Sequence, residues 1–128
     1  MRLTEHFDLS EFTRSATAER HNIDNTIPEQ YIPDIKRICE EVLEPLREYI
    51  GNPITISSGY RCPELNKLVG GVRNSQHKFG RAVDICTQSE SVLMLSFVWL
   101  AREFHTKYKI LLETKNNKQW IHIELRRK

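Results

Sequence analysis

Five histidines lie along the chain, and two of them sit where core packing gives them no reason to be. His77 falls in Asn74-Ser75-Gln76-His77-Lys78-Phe79-Gly80, a polar stretch without apolar periodicity. Asp84 then interrupts the strand-like run Ala82-Val83-Asp84-Ile85-Cys86. Side chains alternate across a strand, so Val83 and Ile85 share one face while Ala82 and Asp84 share the other. His122 stands in Trp120-Ile121-His122-Ile123-Glu124-Leu125. The same alternation turns Ile121, Ile123 and Leu125 to the core and Trp120, His122 and Glu124 away from it. Two imidazoles and one carboxylate suit a single zinc ion, and they leave a fourth position for water, as a catalytic zinc centre requires. Water on such an ion has a pKa of about 7, which supplies hydroxide at neutral pH. A purely structural zinc centre is normally closed by a fourth protein ligand, and no fourth is evident.

Hydrolysis at such a centre also needs a group that carries protons. The runs Tyr108–Glu113 and Gln119–Leu125, joined by the polar Thr114–Lys118, predict a hairpin with a loop of about five residues. If Glu113 pairs with Trp120, then Leu111 pairs with His122, and Glu113 shares the face of His122. Glu113 is then the candidate general base. Glu124, on the same face, competes for that role. A one-residue slip would carry Glu113 to the wrong face. Trp120 reads as a wall of the substrate cleft. His6, His21 and His105 have no such companions and read as structural or exposed.

The elements that must position these residues follow from punctuation and periodicity. Residues 8–25 read as one or two short helices, with Asp8 or Ser10 capping the first and Thr17 the second. Ile32, Ile35, Ile38, Cys39, Val42, Leu43, Leu46 and Ile50 mark one face of a long amphipathic helix. Pro33 suits its first turn, Pro45 should kink it and Gly51 should stop it. Ile54–Ser57 alternates as a short strand, Gly59 and Pro63 bracket a turn, and Pro63–Val69 forms a short helix ended by Gly70-Gly71. Ala82–Cys86 is a further strand, and Ser89 opens a helix running to about Phe104. The order predicts one α+β domain over residues 1–128, with helices on one face of a small antiparallel sheet.

Composition excludes several other classes. Charged residues make up 28% of the 128 and hydrophobic ones 39%, ordinary values for a globular chain. The net charge is +2 and the basic residues are dispersed, so the clustered basic face of a nucleic-acid binder is missing. The short Arg126–Lys128 tail reads as a solvated end. Cys39, Cys62 and Cys86 form no C-x-x-C pair, which argues against both a disulfide framework and a thiolate metal site. Cys39 and Cys86 read as small core residues. No apolar run has the length of a membrane span, and Met1–Leu9 does not read as a secretory signal. The expectation is a monomer made in the cytoplasm.

These residues resemble the D-alanyl-D-alanine zinc peptidases, which share the hedgehog/D,D-peptidase fold. The signature S-x-H-x-x-G-x-A-x-D of that group is matched by Ser75, His77, Gly80, Ala82 and Asp84. Its late W-x-H motif is matched by Trp120-Ile121-His122. Its upstream S-G-Y-R followed by proline is matched by Ser58-Gly59-Tyr60-Arg61 and Pro63. Leu9–Thr13 and Val42–Arg47 are similar to small phage and prophage members in particular. The resemblance implies His77, Asp84 and His122 as zinc ligands, and a peptidase acting on the stem peptides of bacterial peptidoglycan. It implies Arg61 as a group that binds substrate or steadies the reacting carbonyl, for which a planar guanidinium is suited. Ser75 is implied near the metal or substrate, or else as a turn former. Some relatives carry a glutamate three residues before the last histidine, where this chain has Gln119. Small phage-type members instead end the preceding strand in glutamate, which Glu113 matches. Gln119 leaves open the alternative of a non-catalytic, zinc-containing wall-binding module. An enzyme of this type made without a signal would reach the wall by a phage-type lysis or delivery route.

Overall fold

The computed structural model describes residues 1–126; Arg127 and Lys128 of the basic tail lie outside the described residues. The chain opens with a small hairpin, β1 (Arg2–Thr4) against β2 (Phe7–Asp8). Two short helices follow, α1 (Ser10–Thr13) and α2 (Ala16–Arg20). Asp8 takes the Ser10 N–H at 3.1 Å while Glu11 reaches back to the Asp8 N–H at 2.8 Å, a reciprocal pair at the entry to α1. The cap of α2 is Ser15, which accepts the Ala18 N–H at 3.1 Å, and not the expected Thr17. Ser15 is extended and lies just outside the first turn, where an oxygen can reach an orphan donor. Thr17 lies inside the helix, and its hydroxyl accepts from Arg20 instead.

The long amphipathic helix is present in three parts: α3 (Ile32–Ile38), a π-helical turn (Cys39–Leu43) and α4 (Glu44–Ile50). Pro45 lacks an N–H and its ring would crowd the carbonyl four residues back. The wider turn just before it absorbs this, with the Glu44 N–H reaching the Cys39 carbonyl. Gly51 ends the helix in the left-handed region at φ 64°.

The main sheet is antiparallel, in the order β3 (Thr55–Ser58), β4 (Ala82–Cys86), β6 (Lys118–Leu125), β5 (Tyr108–Lys115). Ile35, Ile38, Val42 and Leu46 are fully buried in one cluster with Val83, Ile85, Ile121 and Ile123. The helix α6 (Glu90–Phe104), capped by Ser89 on the Val92 N–H, adds Leu93 and Leu100 to the same core. The α+β arrangement with helices over one sheet face is therefore the one expected. The opposite face of β4 and β6, flanked by α5 (Pro63–Leu68) and a 3-10 turn (Gln76–Phe79), is left to polar residues.

The β5–β6 hairpin has the expected register, Glu113 opposite Trp120 and Leu111 opposite His122. Its loop is shorter than expected. Thr114 and Lys115 pair with Gln119 and Lys118, so only Asn116 and Asn117 turn, at φ 51° and 63°. Two successive positive φ values define the tight primed turn that suits the twist of a hairpin, and asparagine tolerates them.

Candidate metal centre

His77 is placed by the 3-10 turn Gln76–Phe79, and Ser75 opens that turn by accepting the His77 N–H at 3.3 Å. Gly80 closes it at φ 68°, where an added Cβ would lie 2.8 Å from the Tyr31 carbonyl oxygen. Only glycine fits that conformation and that contact. The imidazole is 2% exposed, and its Nδ1 lies 2.7 Å from the Gly59 carbonyl oxygen. A carbonyl only accepts, so Nδ1 donates to it, and Nε2 lies 3.4 Å from Asp84 Oδ1.

Asp84 and His122 face each other across the β4–β6 ladder. His122 Nδ1 lies 2.8 Å from Asp84 Oδ1, and its Nε2 lies 2.9 Å from Glu124 Oε1. Burial opposes the charge on Asp84, but hydrogen bonds and positive charge from His122 and His77 outweigh it and hold the carboxyl at about 2. Burial likewise pulls the His122 pKa down, yet the Asp84 and Glu124 carboxylates outweigh it and leave it raised.

The three expected ligands are thus brought together, each with a donor atom within 4.8 Å of the others. The set fits a zinc-like cation. Each imidazole has its other nitrogen occupied, His77 by a carbonyl and His122 by a carboxylate, which is the outer support that metal-bound histidines receive. Donors at ~2.0–2.2 Å around a tetrahedral ion stand roughly 3.3 Å apart. The His77–Asp84 separation already matches, and the His122–Asp84 hydrogen bond would open by a few tenths of an ångström.

Around these donors runs a cleft of about 540 Å³ that Arg61, Ser75, Glu113 and Trp120 also line. Glu113 Oε1 accepts the Trp120 indole N–H at 3.0 Å and lies 4.0 Å from His122 Nδ1. Trp120 therefore lines the cleft and also holds Glu113. Of the two carboxylates left open by the sequence, Glu124 is engaged by His122 Nε2 and Glu113 by the Trp120 indole, and both line the cleft. Gln119 pairs with Thr114 at the hairpin tip and contributes nothing to the cleft.

Arg61 is half-buried; its backbone N–H donates to the His77 carbonyl at 3.1 Å and its guanidinium to Ser75 Oγ at 3.4 Å. Ser75 thus both forms the turn and contacts a cleft residue. Burial lowers the Arg61 pKa, opposed by Asp84 and Glu113. Its Nε is buried without a hydrogen-bond partner.

Cys86 is a correction. It is only half-buried, and alternation places it on the Asp84 face, not in the core as expected. Cys39 is buried as expected, and all three cysteines are free. Two further residues support the site, and only Asn25 carried no recognisable sequence signal. Asn25 donates to the Thr13 and Tyr60 carbonyls at 2.9 and 3.0 Å and accepts the Cys62 N–H at 2.8 Å, so it fixes the segment bearing Arg61. Gly59 packs so closely on the Phe12 backbone that a Cβ would overlap the Phe12 carbonyl.

An open two-histidine, one-carboxylate centre with glutamates beside it is the arrangement of a metal-dependent hydrolase. The chain matches the family described as Peptidase M15 over residues 5–124, and it belongs to that family. A zinc D-Ala-D-Ala carboxypeptidase of Streptomyces albus G is 36% identical over 55 residues, 42% of this chain. That match spans only 22% of the relative's length. Among solved structures, an L-Ala D-Glu endopeptidase of Serratia marcescens is similar at a TM-score of 0.45 and 20% identity, over 95% of this chain and 96% of that one. A likeness that distant carries no argument about substrate.

Proposed function

We propose that this protein is a zinc-dependent peptidase that hydrolyses peptide bonds in the stem peptides of bacterial peptidoglycan. The observation that carries the reading is the convergence of His77 Nε2, Asp84 and His122 Nδ1 on one space in a chain of the M15 family. Zinc held by His77, Asp84 and His122 would supply Lewis acidity and a water nucleophilic near neutral pH. Glu113 takes a proton from the attacking water and delivers it to the leaving amine, its position set by the Trp120 N–H. Arg61 offers its guanidinium to the reacting carbonyl or to a substrate carboxylate. Ser75 steadies that guanidinium, and Trp120 packs against the peptide. The similarity of Leu9–Thr13 and Val42–Arg47 to small phage members supports delivery to the wall by a phage-type route.

Mass spectrometry of defined muropeptides digested with the zinc-loaded protein tests this directly. Chelation should abolish cleavage and zinc restore it, while His122→Ala should stay folded, bind no zinc and cut nothing. Full cleavage after complete zinc removal would overturn the proposal. Binding of muropeptides without turnover would make the chain a wall-binding module instead.

A further inference from the structure

We propose that the substrate's peptide chain extends from the metal-centred cleft along the free edge of β3 and hydrogen-bonds to it as an added strand. This rests on the peptidase reading above and adds where the rest of the substrate lies. In the order β3-β4-β6-β5, strand β3 has a neighbour on one side only. A groove of about 570 Å³ is lined on one side by Ile56, Ser57 and Ser58 in succession. Successive side chains point to opposite faces of a sheet, so a groove touching three in a row lies along the edge of the strand. Among the described residues, no backbone–backbone hydrogen bond other than the ladder to β4 involves Thr55–Ser58. The outward donors and acceptors of β3 are therefore without a backbone partner among the described residues.

The opposite wall is the start of α2, with Arg14, Ala16 and Thr17. Arg61 and Val69 line both this groove and the metal-centred cleft, so the two share a boundary at the residue placed beside the reacting carbonyl. An exposed strand edge with polar flanks receives an extended peptide through main-chain hydrogen bonds. The four residues of β3 span roughly 13 Å, enough for three or four residues of an extended chain. Arg14 and Glu19, both exposed, line the groove with opposite charges. The partner is thus an extended peptide several residues long on one side of the scissile bond.

The test compares two substrates carrying the same scissile bond, a blocked dipeptide and a five-residue stem peptide, with native protein and Ala16→Trp. Ala16 is exposed at the first position of α2 and does not line the metal-centred cleft, so the indole narrows the groove between α2 and β3. Native protein should show a KM at least ten-fold lower for the long substrate. Ala16→Trp should erase that advantage and leave dipeptide turnover unchanged. Amide NMR of zinc-loaded protein reads the groove independently: adding the stem peptide should shift Thr55–Ser58, and Ala16→Trp should abolish the shift. Shifts without cleavage would keep the groove and remove the peptidase reading. Length-independent cleavage without β3 shifts would remove the groove and keep the peptidase. Neither cleavage nor shifts would remove both.

Discussion

Replacing Glu124 by alanine takes away the acceptor 2.9 Å from His122 Nε2 and leaves the other face of the ring untouched. The pair is shielded, with the histidine side chain 13% and the glutamate side chain 23% exposed, so it keeps more of its strength than a surface contact does. A hydrogen bond to a charged partner in such a setting contributes ~1.5–3 kcal/mol. Taking ~2 kcal/mol, and ten-fold for each 1.4 kcal/mol, zinc affinity should weaken about 30-fold. That lies within the ~10–100-fold range for outer partners of metal-bound histidines. The assay is competition for zinc against a chromophoric chelator. Glu124→Gln should recover most of the affinity, because an amide oxygen can still accept from Nε2. Turnover measured at saturating zinc should survive in both variants. Unchanged zinc affinity together with lost turnover in Glu124→Gln would refute the reasoning and make Glu124 the base.

Glu113→Gln should bind zinc with native affinity and lose ~10²–10⁴-fold in kcat, the span of a general base, by steady-state cleavage of a muropeptide. Gly59→Ala drives a methyl into the Phe12 backbone and should cost ~1–3 kcal/mol or more in urea unfolding, with weakened zinc binding because the Gly59 carbonyl aims His77. Tyr108→Phe removes the 2.6 Å hydrogen bond to Glu41. Burial opposes the charge on Glu41, but hydrogen bonds from Tyr108 and Lys107 outweigh it and hold the carboxyl below its ordinary value. A carboxyl so depressed adds stability above its unfolded pKa that is lost as pH falls through the folded one. The variant should therefore be less stable at pH 7 and show a shallower loss as pH falls through and below the ordinary glutamate range, and parallel acid limbs for the two proteins would contradict it.

The legible part of this protein is the part written in alternation. Val83 and Ile85 inward and Asp84 outward, repeated by Ile121, His122 and Ile123, fix both the core face and the convergence of ligands. The hairpin register followed from the same pattern even though its loop was misjudged, because Thr114–Lys118 is polar and polarity cannot tell strand ends from a turn. The β1–β2 hairpin was invisible because strands of three and two residues carry no period. The choice between Glu113 and Glu124 was beyond the sequence as well. Both share a face with His122, and what separates them is which ring nitrogen each one meets. Cys86 was misassigned because its place at the end of an apolar strand was weighed above its parity with Asp84. Asn25 acts through three backbone groups far apart in the chain, and nothing in its neighbours announces that.

The contact of Gly59 with Phe12 ties the aim of a buried imidazole to the docking of the amino-terminal segment. The donors come from positions 77, 84 and 122, and their support comes from residue 12. A cation held there is therefore a clasp on the whole chain, because the unfolded chain cannot gather those donors. At a free zinc concentration a thousand times the dissociation constant, such linkage adds about 4 kcal/mol to the folded state. Loss of the ion would then be felt first as a softer protein and only second as a silent active site.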